Sequence, residues 1–193
     1  CGNDYDTALA EALRLSEEKK LTFISAFDDP WIVAGQGTIG LEIYEQNADL
    51  QAVLVPVGGG GLIAGIALAL KTLLPKIRII GVQAEAVPSM KVALEQGAPV
   101  ELAPATTIAD GIAVRAVGST PLELVKRYVD EIVTVSEAEI ANAVLLLLEI
   151  EKTVAEGAAA VPLAALVNRK ISLSGKNVGL VVSGGNIDMN LIS

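Results

Sequence analysis

The chain of 193 residues has no histidine and a single cysteine. Without histidine, Ser-His and Cys-His nucleophile pairs and most zinc sites are excluded. One cysteine forms no internal disulfide, which fits a reducing compartment and leads us to expect a cytoplasmic protein. Aromatic residues make up only 3%, so the core must be aliphatic, built from Val, Ile, Leu and Ala. Positive charge is scarce, with 14 Lys and Arg against 23 Asp and Glu and a net charge of −9. That balance argues against nucleic acid, which requires a basic stripe, and against an anionic membrane surface. Long apolar runs are missing too. The longest, Ala141 to Leu148, is too short to span a bilayer and contains Asn142. No charged-then-apolar leader opens the sequence, so secretion is not expected. The chain begins with Cys1 rather than Met, and its first segment already reads as a helix in mid-domain, so a fragment or processed chain is expected. What is abundant is apolar residue, 52% of the total, enough for a sizeable core in one domain or two small ones.

Apolar periodicity then sets out the elements. Asp4 to Lys19 carries Ala8, Leu9, Ala12, Leu13 and Leu15 at helical spacing. Leu21 to Ala26 reads as a short strand, and the stretch Phe27 to Trp31 (FDDPW) as a breaker, because the residue before proline avoids the helical region. A helix over Ile39 to Tyr44, entered through Gly35–Gly37, precedes the fully apolar strand Ala52 to Val57. A helix follows from Leu62 to Leu74, stopped by Pro75, and then a second buried strand, Arg78 to Gln83. Further helices are expected over Pro88–Gln96, ended by Gly97, and over Thr120–Tyr128, with Thr120 as N-cap and Pro121 in the first helical position. Val100 to Asp110 is irregular. After a strand at Ile132–Val135, Ser136 and Glu139 form a capping box for a helix running to about Lys152. A helix over Ala158–Asn168 and a final buried strand over Asn177–Val182 complete the pattern. Helices alternating with buried strands predict an α/β fold, a mostly parallel twisted sheet with flanking helices.

Between the first buried strand and its helix stand four consecutive glycines, Gly58 to Gly61. Such a loop is an anion site with a mechanism. The first amides of a helix have no internal partner, the dipole is positive there, and glycines let successive N–H groups converge without a Cβ in the way. A tight turn with no ligand would need only one or two glycines. Walker-type binding fails, since Gly61 is followed by Leu62 and Ile63 rather than Lys and Ser or Thr. A dinucleotide site is a rival: Gly59, Gly61 and Ala64 fit G-x-G-x-x-A, and Glu85 follows after the second strand. The last strand ends in Ser183, Gly184, Gly185 and Asn186. Ligands of open parallel sheets lie outside the carboxyl ends of strands, so both glycine-rich ends are expected to face one crevice. One would hold a phosphate; the other would present the Ser183 hydroxyl to a ring.

These stretches, with AGQGTIGLEI (Ala34 to Ile43), TIADGIAV (Thr107 to Val114) and VSEAEI (Val135 to Ile140), resemble the threonine dehydratase and serine racemase group of pyridoxal-phosphate enzymes. The motifs run in the right order from about Cys1 to the C-terminus, and GVQAEAVPSM and VAEGAAAVPLAAL are most similar to the dehydratase branch. The resemblance implies a fold-type II (tryptophan-synthase-β-like) large domain truncated at its N-terminus. Residues 1–28 would be the tail of a small domain and 29–193 most of the cofactor-binding domain. It also implies that Gly58, Gly59, Gly60, Gly61 and the Leu62 amide cup the phosphate of pyridoxal phosphate. Ser183 would hydrogen-bond the pyridine nitrogen, and Gly111 would lie near the cofactor face. A neutral hydroxyl at the nitrogen leaves it unprotonated, which suits β-elimination of water from L-threonine or L-serine. The enamine released then hydrolyses to a 2-oxo acid and ammonia. A homo-oligomer is implied as well.

Departures from the group matter as much. The Ser-x-Lys motif that carries the family's Schiff-base lysine is absent, as is the Ser-x-Gly-Asn loop that grips the substrate carboxylate. Lys19, Lys20, Lys71, Lys76, Lys91, Lys126, Lys152, Lys170 and Lys176 all fall on polar helix faces or in turns, so no catalytic residue is assigned and the chain alone is expected to be inactive. Where some relatives place a cation-binding Glu this chain has Gln83, a poorer ligand for a divalent ion, with Glu85 two residues on; no metal site is expected. Glu156 reads either as a charge favoured by a helix N-terminus or as a neighbour of the cofactor. Asp28 and Asp29 read as turn formers, Asp110 as orienting the loop with Gly111, and Trp31 as packed at a domain boundary near Asp28–Trp31.

Overall fold

A computed structural model describes residues 5–188; Cys1 lies outside them. Its sheet has four strands, all parallel, in the order β3-β2-β1-β4. Strand β1 (Ala52–Pro56) is buried along its whole length and lies between β2 (Arg78–Ala84) and β4 (Val178–Leu180). Strand β3 (Glu131–Val135) flanks β2. β1 is thereby laddered on both sides over Ala52–Leu54, which is what an apolar run buried on both faces requires.

Alternation along the strands divides the core. Ala52, Leu54, Ile80 and Val82 face the layer of α6 (Glu137–Glu149) and α7 (Gly157–Val167). Val53, Val55 and Ile79 face α3 (Gly61–Leu73), α4 (Ser89–Gln96) and α5 (Ser119–Tyr128). The expected α/β architecture is therefore the observed one. Helix α1 (Tyr5–Lys19) buries no residue fully. It is joined to the body by an Asp6–Arg115 ion pair at 3.3 Å and by the Tyr5 and Phe27 rings, 5.8 Å apart. Among the described residues no helix is long and apolar enough to cross a membrane.

Three local expectations are corrected. Leu21 to Ala26 forms no strand: it meets no free sheet edge, Leu21 and Ile24 stand 59% and 65% exposed, and Ser25 Oγ accepts instead from the Asp28 amide at 3.0 Å. A lone extended segment without a partner has no ladder to join. Second, the helix expected over Ile39–Tyr44 is α2 (Pro30–Gln46). FDDPW starts it rather than breaking the chain. The Asp29 carboxylate accepts from the Trp31 and Ile32 amides, and Pro30 takes the first helical position. Gly35 and Gly37 lie inside it. Trp31 is 85% exposed rather than packed. Third, Thr120 is not the N-cap of α5, whose cap position is Gly118.

The capping box is present: Ser136 Oγ accepts from the Glu139 amide, and the Glu139 carboxylate accepts from the Ser136 amide at 2.8 Å. Burial pushes the Glu139 carboxyl up. The Lys170 ammonium, 2.9 Å away, and the Ser136 amide outweigh it and hold the group below its ordinary value. A depressed folded pKa contributes stability above the unfolded value of about 4.3 and loses it as pH falls through the folded value. Glu139→Gln, which keeps a capping side chain but loses the charge facing Lys170, is therefore expected to cost about 0.5 kcal/mol at neutral pH, the solvent-screened worth of such a pair. In urea titrations at stepped pH, that difference should shrink as pH falls below the unfolded value and vanish once the native carboxylate is protonated as well.

Candidate active site

Strand order fixes where a ligand can sit. From β1 the chain moves to β2 and β3 on one side, then returns to place β4 on the other side of β1. The direction of winding reverses at β1, so the loops leaving β1 and β4 diverge and open a crevice. A cavity of about 620 Å³ lies there. Its lining includes all seven residues singled out from the sequence: Gly58, Gly59, Gly60, Gly61, Leu62, Gly111 and Ser183. They come from three separate stretches of chain, and the topology brings them together.

The glycine loop forms one wall. Gly60, at φ +98°, is the N-cap of α3. That backbone conformation is costly for any residue with a Cβ. Among the described residues the amides of Gly58 to Ile63 donate to no protein acceptor; the first helical bond here runs from the Ala64 amide to Gly60 O, 3.0 Å. A row of unpaired N–H groups at a helix N-terminus beside a cavity fits a phosphate group. Across from it, Ser183 follows β4, and its hydroxyl makes no hydrogen bond within the described residues. Asp110 accepts from the Gly111 amide at 2.8 Å and so orients that loop.

Glu156 ties the other walls together. It occupies the N-cap position of α7 without capping that helix through its side chain. Its carboxylate accepts from the Asn186 amide at 3.1 Å, and its amide donates to Gly184 O at 3.2 Å. A Cβ on Gly111 would lie 3.2 Å from Glu156 Oε1, and one on Gly184 would lie 2.6 Å from the same oxygen. Of the two sequence readings, the neighbour of the cavity is the one this geometry supports.

Sequence reasoning missed Tyr5 and Phe27 as cavity walls. A Cβ on Gly59 would come within 2.5 Å of the Phe27 ring, and one on Gly61 within 2.9 Å of Phe27 O. Bare backbone at these two positions is what lets the segment lie against the loop. Burial, and then the neighbouring Asp6 charge, raise the pKa of the Tyr5 hydroxyl. The one local signal was the position of Phe27 directly before Asp28.

Asp28 caps α5 from 91 residues away: its two carboxylate oxygens accept from the Ser119 amide at 2.9 Å and the Thr120 amide at 3.0 Å. Gly118 donates in turn to Gly59 O at 3.1 Å. One carboxylate thus links Phe27, the α5 N-terminus and the glycine loop. Asp28→Ala leaves two amides without acceptors and is expected to cost about 2 kcal/mol in chemical unfolding. Asp28→Asn, which keeps an acceptor, should lose less than half of that.

Two other sequence readings resolve differently. Glu85 is exposed and does not line the cavity, so the dinucleotide reading through Gly59, Gly61, Ala64 and Glu85 is not supported. Gln83 is fully buried and holds the β2–α4 turn: Nε2 donates to Val57 O at 3.3 Å and to Ser89 Oγ at 3.4 Å, and Oε1 accepts from the Lys91 amide at 3.0 Å. None of the chain's lysines lines the cavity.

Known proteins are similar to this chain in sequence and fold. The family model described as "Pyridoxal-phosphate dependent enzyme" matches residues 1–184. The chain is 52% identical over 191 residues to an L-threonine ammonia-lyase of Thermotoga maritima, covering 99% of this chain and 47% of that protein. A processed threonine deaminase isoform from Solanum lycopersicum superposes with a TM-score of 0.90 at 37% identity, covering 100% of this chain and 57% of the other. For a maize serine racemase the TM-score is 0.89 at 30% identity, with 97% and 58% covered. The chain spans about half the length of the curated relatives it matches. A matched family model over nearly the whole chain, relatives of the same type and a glycine-lined cavity at the switch point agree: this chain belongs to the pyridoxal-phosphate-dependent enzyme family.

Proposed function

We propose that the chain supplies the phosphate and ring contacts of a pyridoxal-phosphate-dependent ammonia-lyase acting on L-threonine or L-serine. The observation that carries the reading is the cavity between β1 and β4, lined by the glycine loop, Gly111 and Ser183. The unpaired amides of Gly58 to Leu62 would hold the phosphate, their positive field facing its charge. Ser183 Oγ would donate to the pyridine nitrogen and keep it unprotonated. Gly111 would leave room for the ring face, while Glu156 would hold the Gly111 and Ser183 walls in register. Tyr5 and Phe27 would keep water from one side. When bound, pyridoxal phosphate supplies the electron sink for loss of the substrate's α-proton. The amine that anchors it is not contributed by a cavity-lining lysine of this chain, so turnover belongs to a longer protein of the relatives' length. On this reading residues 1–28 belong to a smaller domain and 29–193 to the cofactor domain, in a cytoplasmic homo-oligomer with no membrane or nucleic-acid partner.

The test is titration of the chain with pyridoxal phosphate, followed by thermal unfolding, and then addition of L-threonine with an assay for 2-oxobutanoate. Stabilisation without product is the expected result, and Ser183→Ala should weaken it. Absence of stabilisation overturns the reading of the cavity. Product formation overturns the assignment of the amine to other residues.

A further inference from the structure

A second cavity opens at the opposite end of the sheet, where β1 and β2 begin. It has a volume of about 480 Å³, within the usual range for small-molecule pockets. Its walls are mainly aliphatic, formed by Leu50, Leu73, Leu74, Ile77 and Leu173. Lys76, Arg78 and Lys176 stand among them. The loops that form it are closed by backbone bonds, Ile77 N to Leu74 O at 3.0 Å and Lys176 N to Leu173 O at 3.1 Å. Gly175, at φ +72°, allows the second turn. The pocket is thus built before any ligand arrives.

Its charge is unusual for this chain. The net charge is −9, yet among the described residues neither Lys76 nor Lys176 pairs with a carboxylate. Arg78 is held by Glu131 at 3.1 Å in a half-exposed pair, which salt and solvent weaken. An aliphatic wall with unpaired ammonium groups asks for a ligand that has both an alkyl chain and one anionic end. The alkyl part would cover Leu50, Leu74 and Leu173, and the anion would take the lysines.

We propose that this cavity binds an aliphatic monocarboxylate of medium chain length, at a site separate from the glycine cup. β1 joins the two sites, and its length separates them by about 15 Å. The reading is independent of the function proposed above.

Octanoate is the probe, with octan-1-ol as its neutral counterpart. Binding to the chain is followed by calorimetry and by methyl resonances of labelled Leu, Ile and Val. The expected result is shifts confined to Leu50, Leu73, Leu74, Ile77 and Leu173, with octanol about tenfold weaker or worse. The exposed double substitution Lys76→Glu and Lys176→Glu should weaken octanoate by about tenfold or more and leave the unfolding midpoint near that of the parent. Equal binding of octanol, equal binding by the double variant, or no binding of octanoate overturns the proposal. Shifts at Ile112, Val114 and Val182 overturn it too, because they would put the acid in the other cavity.

Discussion

Replacing Gly65 by alanine should destabilise the fold by about 3 kcal/mol, although alanine is the better helix former by about 1 kcal/mol. The two effects have opposite signs, so the measurement decides between them. Gly65 sits in the middle of α3, where α2 crosses it. A Cβ there would run into Val33 O, would lie 2.6 Å from Gly37 N, and would lie 2.9 Å from the Gln36 carbonyl carbon. All three are backbone atoms of α2, and no rotamer change relieves them. The helices must separate, and Val33, which is buried in that contact, loses its packing. Gly35 provides the control. It lies on the exposed side of α2 with nothing within 4 Å of its Cβ position, so Gly35→Ala should stabilise by about 0.5–1 kcal/mol. Urea unfolding of both variants against the parent is the check. A neutral Gly65→Ala would mean that α2 does not lie on α3 as described.

Gly60→Val should abolish most of the affinity for pyridoxal phosphate, a loss of about tenfold to a hundredfold. Its φ of +98° is strained for any residue with a Cβ, and most of all for a β-branched one. A Cβ would also lie 2.5 Å from Met90 Cε and 2.9 Å from Pro121 Cβ. The methionine end can move away; the proline ring, at the start of α5, cannot. The loop must therefore turn, and the amides of Gly59 to Leu62 no longer converge. The loss is read from the pyridoxal-phosphate concentration needed for half-maximal thermal stabilisation. Because the strain is local to one turn, the far-UV dichroism of the variant should stay that of the parent. A variant that binds as the parent does would remove the glycine loop from the phosphate site. The pair of substitutions separates two uses of glycine in one chain, close approach of helices and a left-handed turn.

Much of the site was legible because its signals are local. Four glycines between an apolar strand and a helix mean unpaired amides at a helix N-terminus wherever the rest of the chain goes. The same holds for Ser136 and Glu139, whose reciprocal bonds span three residues, and for the buried runs of β1 and β2. Gly97 ending α4 in the left-handed conformation is another such case. Each depends on atoms within about one turn of chain.

What depended on distant atoms was not legible. Leu21 to Ala26 has the composition of a strand, but a strand exists only with a partner, and this segment pairs with neither open edge of the sheet, β3 or β4. Gly35 and Gly37 look like an entry to a helix, but both lie inside α2, which starts earlier at the Asp29 cap, and the Gly37 side lies against the backbone of α3 at Gly65. Asp28 looks like a turn former, but it caps a helix 91 residues on. Glu156 reaches Asn186 across 30 residues, and Phe27 lies on Gly59. The sequence by itself determined most of the helices, the buried strands β1 and β2, and which loop offers its amides to an anion, since short-range hydrogen bonding and burial dictate these. The expected burial of the last strand did not hold, β4 being only half-buried. Only the tertiary structure decided the strand order, and with it the crevice in which the glycine loop, Gly111 and Ser183 meet, because that order depends on how whole faces pack.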